Sequence, residues 1–233
     1  MDNRTESLAT SNRPPRRVVL ASTSTYRRQL LERLHIPFEA INPGVDETPF
    51  HERKLSAIDL TQTLAQTKAH AVRQTHPHDI VIGCDQCVTL DDLVLGKPGS
   101  ADAAMEQLAM LSGRTHKLVT ALCLLHPPTE EPNPTEMVSV DVHDLTMRSL
   151  NRCQIRRYVE LDQPIDCAGS YKIESLGIAL FERVSGTDPT AIMGMSLMRL
   201  VSMLAEAGYD VFEHTSAPSE SLTTPMGDVR KDL

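Results

Sequence analysis

The stretch Ile80-Val81-Ile82-Gly83-Cys84-Asp85-Gln86, with Gly96-Lys97-Pro98 a little further on, decides how the rest of the chain is read. Ile80-Val81-Ile82 is a β-branched apolar run of the kind that fills a short buried strand, and Gly83 reads as its end. Asp85 and Gln86 follow at once. A carboxylate at the end of a buried strand is costly unless it is paired or has a chemical task. Lys97 sits on a turn constrained by Pro98. One acid and one positioned cation beside the same strand point to phosphate or metal chemistry; the plain alternative is a solvated pair on a surface turn.

Upstream, Val18-Val19-Leu20-Ala21 reads as a first strand and Ser22 to Thr25 as a turn. A helix follows from Thr25, with Leu30, Leu31 and Leu34 as its apolar stripe and Ser24 or Thr25 as N-cap. Arg27 and Arg28 then fall in its first turn, the wrong end for cations because the helix dipole is positive there. An anion on that terminus would remove the conflict, since free N–H groups, hydroxyls and two guanidiniums would converge on it. Without one, both arginines face water. Phe38-Glu39-Ala40-Ile41 reads as a second strand, turned by Asn42-Pro43-Gly44. Asp46-Glu47 beside that turn can bind a hard divalent cation through oxygen, or be an exposed acidic pair. In the helix expected over 57–74, Leu60, Leu64 and Lys68 recur at helical spacing, which puts Lys68 at the edge of the buried stripe. There it either snorkels to water or reaches inward to a phosphate.

Downstream, Ser100 caps a helix that runs through Ser112 and stops at Gly113. A strand is expected over 116–125, a Pro/Glu-rich loop over 127–134, and a strand over 138–147 with Val138, Val140 and Val142 on one face. A helix is expected from Ser149 to Leu161. The loop Asp166 to Glu174 is rich in small residues, so backbone can approach a ligand closely. A strand over 177–184, a turn at Gly186-Thr187-Asp188-Pro189 and a helix from Ser196 that ends before Gly208 complete the pattern. Residues 1–16 and 214–233 read as a disordered leader and tail, leaving one domain over 17–213.

The 233 residues suffice for one domain with a real core, and with no Trp that core is built from aliphatic residues and Met. A net charge of −8 speaks against broad nucleic-acid binding, which needs a basic face. Five cysteines at irregular spacing and no visible signal peptide fit a reduced cytoplasmic protein. No apolar run reaches membrane-spanning length. Cys84 and Cys87 form a C-x-x-C by letter, yet residues three apart in an extended segment point to opposite faces, and no second Cys or His pair completes a zinc site. The nine histidines show no metal or triad spacing.

In order, these stretches resemble the Maf family of nucleotide pyrophosphatases. The matching pieces are Leu20-Ala21-Ser22-Thr23-Ser24 with Arg27-Arg28, then Val45-Asp46-Glu47, Leu64-Ala65 with Lys68-Ala69, and Ile82-Gly83-Cys84-Asp85-Gln86. They continue with Leu95-Gly96-Lys97-Pro98, Leu111-Ser112-Gly113 with His116, Ala168-Gly169-Ser170-Tyr171-Lys172 and Gly186-Thr187-Asp188-Pro189. Tyr26, Gln86 and Glu174 are similar to the YceF-type branch, which hydrolyses 7-methyl-GTP, rather than to the dTTP/UTP branch. Two positions depart from the family pattern: Thr25 stands where Pro is usual, and Gly194-Met195-Ser196-Leu197 replaces Gly-Leu-Pro-Leu.

The resemblance implies an α/β (mixed α+β) fold, an ITPase-like elongated mixed sheet flanked by helices with a cleft between two lobes. It implies hydrolysis of a nucleoside triphosphate to the monophosphate and pyrophosphate. Asp85 would be general base or orient a metal-bound water, and Ser22, Arg27, Arg28, Lys68 and Lys97 would hold phosphate charge. Glu47, with Asp46, would hold Mg²⁺ or Mn²⁺. Tyr26 would stack on the cationic methylated ring, Glu174 would accept from the guanine N–H edge, and Gln86 would supply an amide contact. The expected partner is the nucleotide substrate, with no nucleic acid and no membrane, and with a homodimer as the assembly allowed for. The competing readings are a dTTP/UTP or other modified-nucleotide pyrophosphatase, a nucleotide-binding septum-formation regulator with little catalysis, and a redox or zinc module at Cys84/Cys87.

Overall fold

A computed structural model describes residues 16–53, 55–91, 93–127 and 135–215. The leader up to residue 15, most of the Pro/Glu-rich loop and the tail beyond residue 215 lie outside the described residues. The elements run β1 (Val18–Ala21), α1 (Thr25–Glu32), β2 (Phe38–Ile41), α2 (Thr48–His51), α3 (Ala57–Arg73), β3 (Ile80–Leu90), β4 (Leu93–Leu95), α4 (Ala101–Leu111), β5 (Thr115–Leu125) and β6 (Glu136–Met147). They continue with α5 (Arg152–Asp162), β7 (Phe181–Ser185), α6 (Leu197–Glu206) and α7 (Val211–His214), with short 3₁₀ turns at Ala168–Ser170, Leu176–Leu180 and Ala191–Met193.

Seven strands form one mixed sheet in the order β2-β1-β3-β5-β6-β7, with β4 also paired to β3. β1 runs parallel to β2 and β3, while β3–β5, β5–β6 and β6–β7 are antiparallel. β3 joins the two halves of the molecule. Its first residues pair with β1 on one side, Val81 to Thr89 pair with β5 on the other, and Val88 to Leu90 pair with β4. The strand therefore does not end at Gly83 as the local sequence suggested. Asp85 lies inside a continuous ladder whose partner, β5, is contributed by residues more than thirty positions away.

Alternation along β3 distributes the core. Ile80, Ile82 and Cys84 face α1 and α6, packing with Leu30, Leu31, Leu200, Met203 and Leu204. Val81 faces α3 and packs with Ala65, Ala69 and Val72. Val88 belongs to the second half, where Leu108 and Leu111 of α4 meet Ile155, Tyr158 and Val159 of α5. Gly83 faces α3: a Cβ there would run into the Ala65 carbonyl and lie 2.9 Å from Ala69 Cβ, so the missing side chain lets α3 settle close on the strand. Cys84 and Cys87 point to opposite faces, Cys87 toward Thr61 of α3 at 3.2 Å, and all five cysteines are free thiols. No helix among the described residues is long and apolar enough to cross a membrane.

Three expectations change. The buried face of β6 carries Met137, His143, Leu145 and Met147, whereas Val138 and Val140 are half-buried and Val142 is exposed. α5 starts at Arg152 because Asn151 and Gln154 form a reciprocal capping box, which Ser149 does not. Residues 176–180 are 3₁₀ rather than strand, so β7 begins only at Phe181. At the ends of the described residues, Arg16 donates to the Ala207 carbonyl at 2.7 Å, and His214 closes α7 and stacks on Tyr209.

Candidate active site

A cleft of about 570 Å³ opens where β1, β3 and α3 meet the elements of the second half. On one side the turn after β1 supplies Ser22 to Tyr26 and α1 supplies Arg27. Ser24 caps α1 by accepting from the Arg27 N–H, as Ser/Thr at this position should. Ser22, almost fully buried, accepts from the Ser24 N–H at 3.2 Å and from Arg27 Nη1 at 3.5 Å. Arg27 Nε donates to the Gly194 carbonyl at 3.0 Å. Hydroxyls, helix N–H groups and a guanidinium thus share one concave surface, the arrangement that suits an anion. Arg28 is not part of it. It is absent from the cleft lining and forms an exposed pair with Glu32 one turn along α1, at 3.2 Å.

The floor is made by β3 and α3. Lys68, on the α3 face that packs against the sheet, is 7% exposed, and so is Asp85. Lys68 Nζ donates to Asp85 Oδ1 at 2.6 Å and to Glu47 Oε1 at 2.7 Å. Lys68 thus turns inward instead of snorkelling to water, and the groups it meets there are carboxylates. Burial pushes the Asp85 carboxyl above its ordinary value, with Lys68 and Arg27 pulling it back. Burial would also raise Glu47, but the bond and charge of Lys68, helped by Lys97 and His51, outweigh it and hold that carboxyl below the usual range. Asp46 is directed elsewhere. It is outside the cleft lining, and its Oδ1 accepts from the Thr48 N–H at 3.0 Å at the start of α2. Lys97 lines the same cleft, on a turn held by the bond from Gln107 Nε2 to the Gly96 carbonyl.

The remaining wall comes from the loop after α5. Asp166, Cys167, Ala168, Tyr171, Ile173 and Glu174 line it, opposite Tyr26. Burial raises the Tyr26 phenol, and the charges of Cys167, Asp166 and Glu174 add to that. Burial likewise raises Glu174, with Asp162 and Asp166 reinforcing and Lys172 opposing, and pushes the Cys167 thiol up to about 12. This wall is acidic and only partly offset by Lys172, which lies 3.8 Å from Asp166. Gln86 also reaches the cleft, but its amide nitrogen is occupied by Thr120 Oγ1 and the carbonyls of Ala191 and Ile192.

Sequence reading named the stretches of Asp166, Asp188 and Gly194 but gave these residues, and His51, no task of their own. The Gly194 carbonyl, His51 and Asp166 line the cleft, and Asp188 organises the neighbouring turn, its buried carboxylate accepting from Thr190, Ser196 and the Met198 N–H. A glycine just before a helix was the available sign for Gly194; a main-chain oxygen has no other signature in sequence.

The fold and cleft define an α/β protein with a guanidinium and hydroxyls on one wall beside a lysine-bridged carboxylate pair. The chain belongs to the Maf family: a family model described as Maf-like protein matches residues 17–207. Curated relatives named 7-methyl-GTP pyrophosphatase include one from Thiobacillus denitrificans, 47% identical over 194 residues and spanning 83% of this chain and 94% of the relative. Others are from Cupriavidus pinatubonensis, 45% identical over 199 residues (85% and 97%), and Pseudomonas syringae pv. syringae, 44% over 194 residues (83% and 98%). Among solved structures, the Staphylococcus aureus Ham1 protein aligns over 57% of this chain and 72% of that one, at 19% identity and a TM-score of 0.39.

Proposed function

We propose that this protein is a pyrophosphatase that hydrolyses 7-methyl-GTP to 7-methyl-GMP and pyrophosphate. The observation that carries the reading is one cleft holding both Asp85, paired to Lys68 at 2.6 Å, and the Ser22–Arg27 seat at the N-terminus of α1. The names and near-full-length overlap of the relatives supply the substrate. Attack of water on the α-phosphorus needs a base for the proton and cations for the charge on three phosphates. Asp85 is the base: its buried, raised carboxyl is closer to the working range of a proton acceptor than an exposed aspartate is. Arg27, Lys68 and Lys97 neutralise phosphate oxygens, and the Ser22 hydroxyl donates to one of them. Arg28, paired to Glu32, is at most an outer contributor.

Glu47 and Asp85 are two hard oxygen donors meeting at one ammonium, and one or two carboxylates plus substrate phosphates is the usual setting for Mg²⁺. Glu47 fits such an ion and would hold it together with the substrate phosphates, leaving Asp85 for the proton; Asp46 would not hold it. When bound, a divalent cation supplies Lewis-acid polarisation of the phosphates. Selectivity for the methylated base follows from charge. N7-methylation makes the ring cationic, Tyr26 offers a π face, and Glu174 with Asp166 makes the surrounding wall negative.

The test is pyrophosphate release by the purified protein from 7-methyl-GTP, GTP, dTTP and UTP with Mn²⁺. The expected result is highest kcat/KM on 7-methyl-GTP. Preference for dTTP or UTP would replace the substrate, and tight nucleotide binding without turnover would replace the enzyme by a binding protein.

A further inference from the structure

The turn that brings Ile192, Met193 and Gly194 to the cleft is held by two side chains with no part in the chemistry above. Gln86 Nε2 donates to Thr120 Oγ1 at 2.8 Å, to the Ala191 carbonyl at 2.9 Å and to the Ile192 carbonyl at 3.2 Å. Thr120 sits directly across the ladder on β5, is 1% exposed, and its hydroxyl donates to the same Ala191 carbonyl at 2.9 Å. The two carbonyls fix which end of the Gln86 amide faces the turn, because Oε1 in that place would oppose both of them and only the Thr120 hydroxyl could donate to it. Both amide hydrogens are therefore committed to the fold. At the far end of the turn the Gly194 carbonyl takes Arg27 Nε at 3.0 Å, which leaves Nη1 of the same guanidinium beside Ser22. Gly194 itself sits at φ +113°, and a Cβ there would come within 3.4 Å of Arg27 Cγ and Nε. The placement of the guanidinium is thus referred back, through one turn, to β3 and β5.

We infer that Thr120 and Gln86 are positioning residues for Arg27, fixing its guanidinium for the triphosphate through the Ala191–Gly194 turn. The inference rests on the reading of Arg27 as a phosphate ligand. It gives Gln86 a different task from the base contact implied by the family resemblance: its loss weakens the grip on phosphate whatever base is attached.

Binding of inorganic tripolyphosphate, measured by calorimetry, removes the base and the turnover from the question. Thr120→Val is expected to raise its Kd about tenfold, the worth of a buried hydrogen bond, and Thr120→Ser to restore it to within about twofold. In an Arg27→Ala background, Thr120→Val is expected to change Kd by less than about twofold, because coupled residues lose their effect together. Equal weakening with and without Arg27, or no recovery in Thr120→Ser, overturns the inference. If Arg27→Ala binds too weakly to measure, the Arg27 Nε–H resonance decides. It should exchange with water faster in Thr120→Val and at the wild-type rate in Thr120→Ser, and an unchanged rate in Thr120→Val overturns the inference. Gln86→Met should raise KM for 7-methyl-GTP and GTP by one common factor; a changed ratio with unchanged tripolyphosphate affinity makes Gln86 a base reader instead. Failure to hydrolyse 7-methyl-GTP would sink the proposed substrate and leave the Arg27–Thr120 coupling to be judged on its own.

Discussion

On one side of the cleft, Lys68 stands between Glu47 and Asp85, nine-tenths buried and within 2.7 Å of both. On the other, Asp166 and Glu174 border Tyr26 and Cys167, and the Asp166 side chain is 63% exposed, with Lys172 3.8 Å away. Both regions are acidic. In the first, one buried ammonium is bonded to both acids and Arg27 and Lys97 add positive charge beside them, and the low-dielectric surroundings make every change expensive. In the second the acids keep an excess of negative charge that a cationic ligand can answer. Under the proposed function, the contrast separates a buried, tightly bonded centre that would do the chemistry from a more open wall that would choose the base.

Breaking the first region should cost most. Asp85→Asn is expected to reduce pyrophosphate release roughly 1,000-fold, the upper-middle of what a general base contributes, while tripolyphosphate binding persists. Near-normal turnover would remove Asp85 from the mechanism. Lys68→Met leaves two carboxylates facing each other and should lower stability by about 3 kcal/mol, read as a shifted midpoint in urea. The second region should respond more gently. Glu174→Gln is expected to lower the kcat/KM preference for 7-methyl-GTP over GTP about fivefold, with the GTP rate itself nearly unchanged. A preference that does not move would show that the wall does not read ring charge.

Smaller effects sharpen the comparison further. Glu47 has a folded carboxyl below its ordinary value of 4.5. The stability it contributes is therefore complete above pH 4.5 and fades as acid carries the pH down through the depressed value. Glu47→Gln should flatten the acid side of a stability-against-pH curve by a modest amount, since the group is half-exposed. Arg28→Ala should change neither KM nor kcat by more than about twofold, because its pair with Glu32 is exposed and outside the cleft.

Much of this was legible from the residues. β1, β2, α1, α3, α4 and α6 carry their own punctuation: Ser24 and Ser100 as caps, Gly113 as a stop, and apolar residues at the correct period. What escaped depended on partners distant in sequence. The length of β3 is set by β5, which a run of residues around Gly83 does not announce. Arg27 and Arg28 are indistinguishable as letters; only the phase of α1 against the 191–194 turn sends one into the cleft and the other to Glu32. Asp46 and Glu47 divide in the same way, one accepting from the Thr48 N–H and the other bonded to Lys68. β4, α2 and α7 are too short for a periodic signal.

Position 83 carries only a hydrogen, and through it α3 rests its Ala65 carbonyl and Ala69 methyl against the sheet. Lys68 rides on that same segment of helix, so the gap across which ammonium meets carboxylate is dictated by an atom that is absent. One added methyl at this seat would lever the whole helix outward and slacken the reactive trio without altering any group that handles substrate. The spacing of that trio therefore depends on a position outside the cleft, which a ligand bound there would never touch.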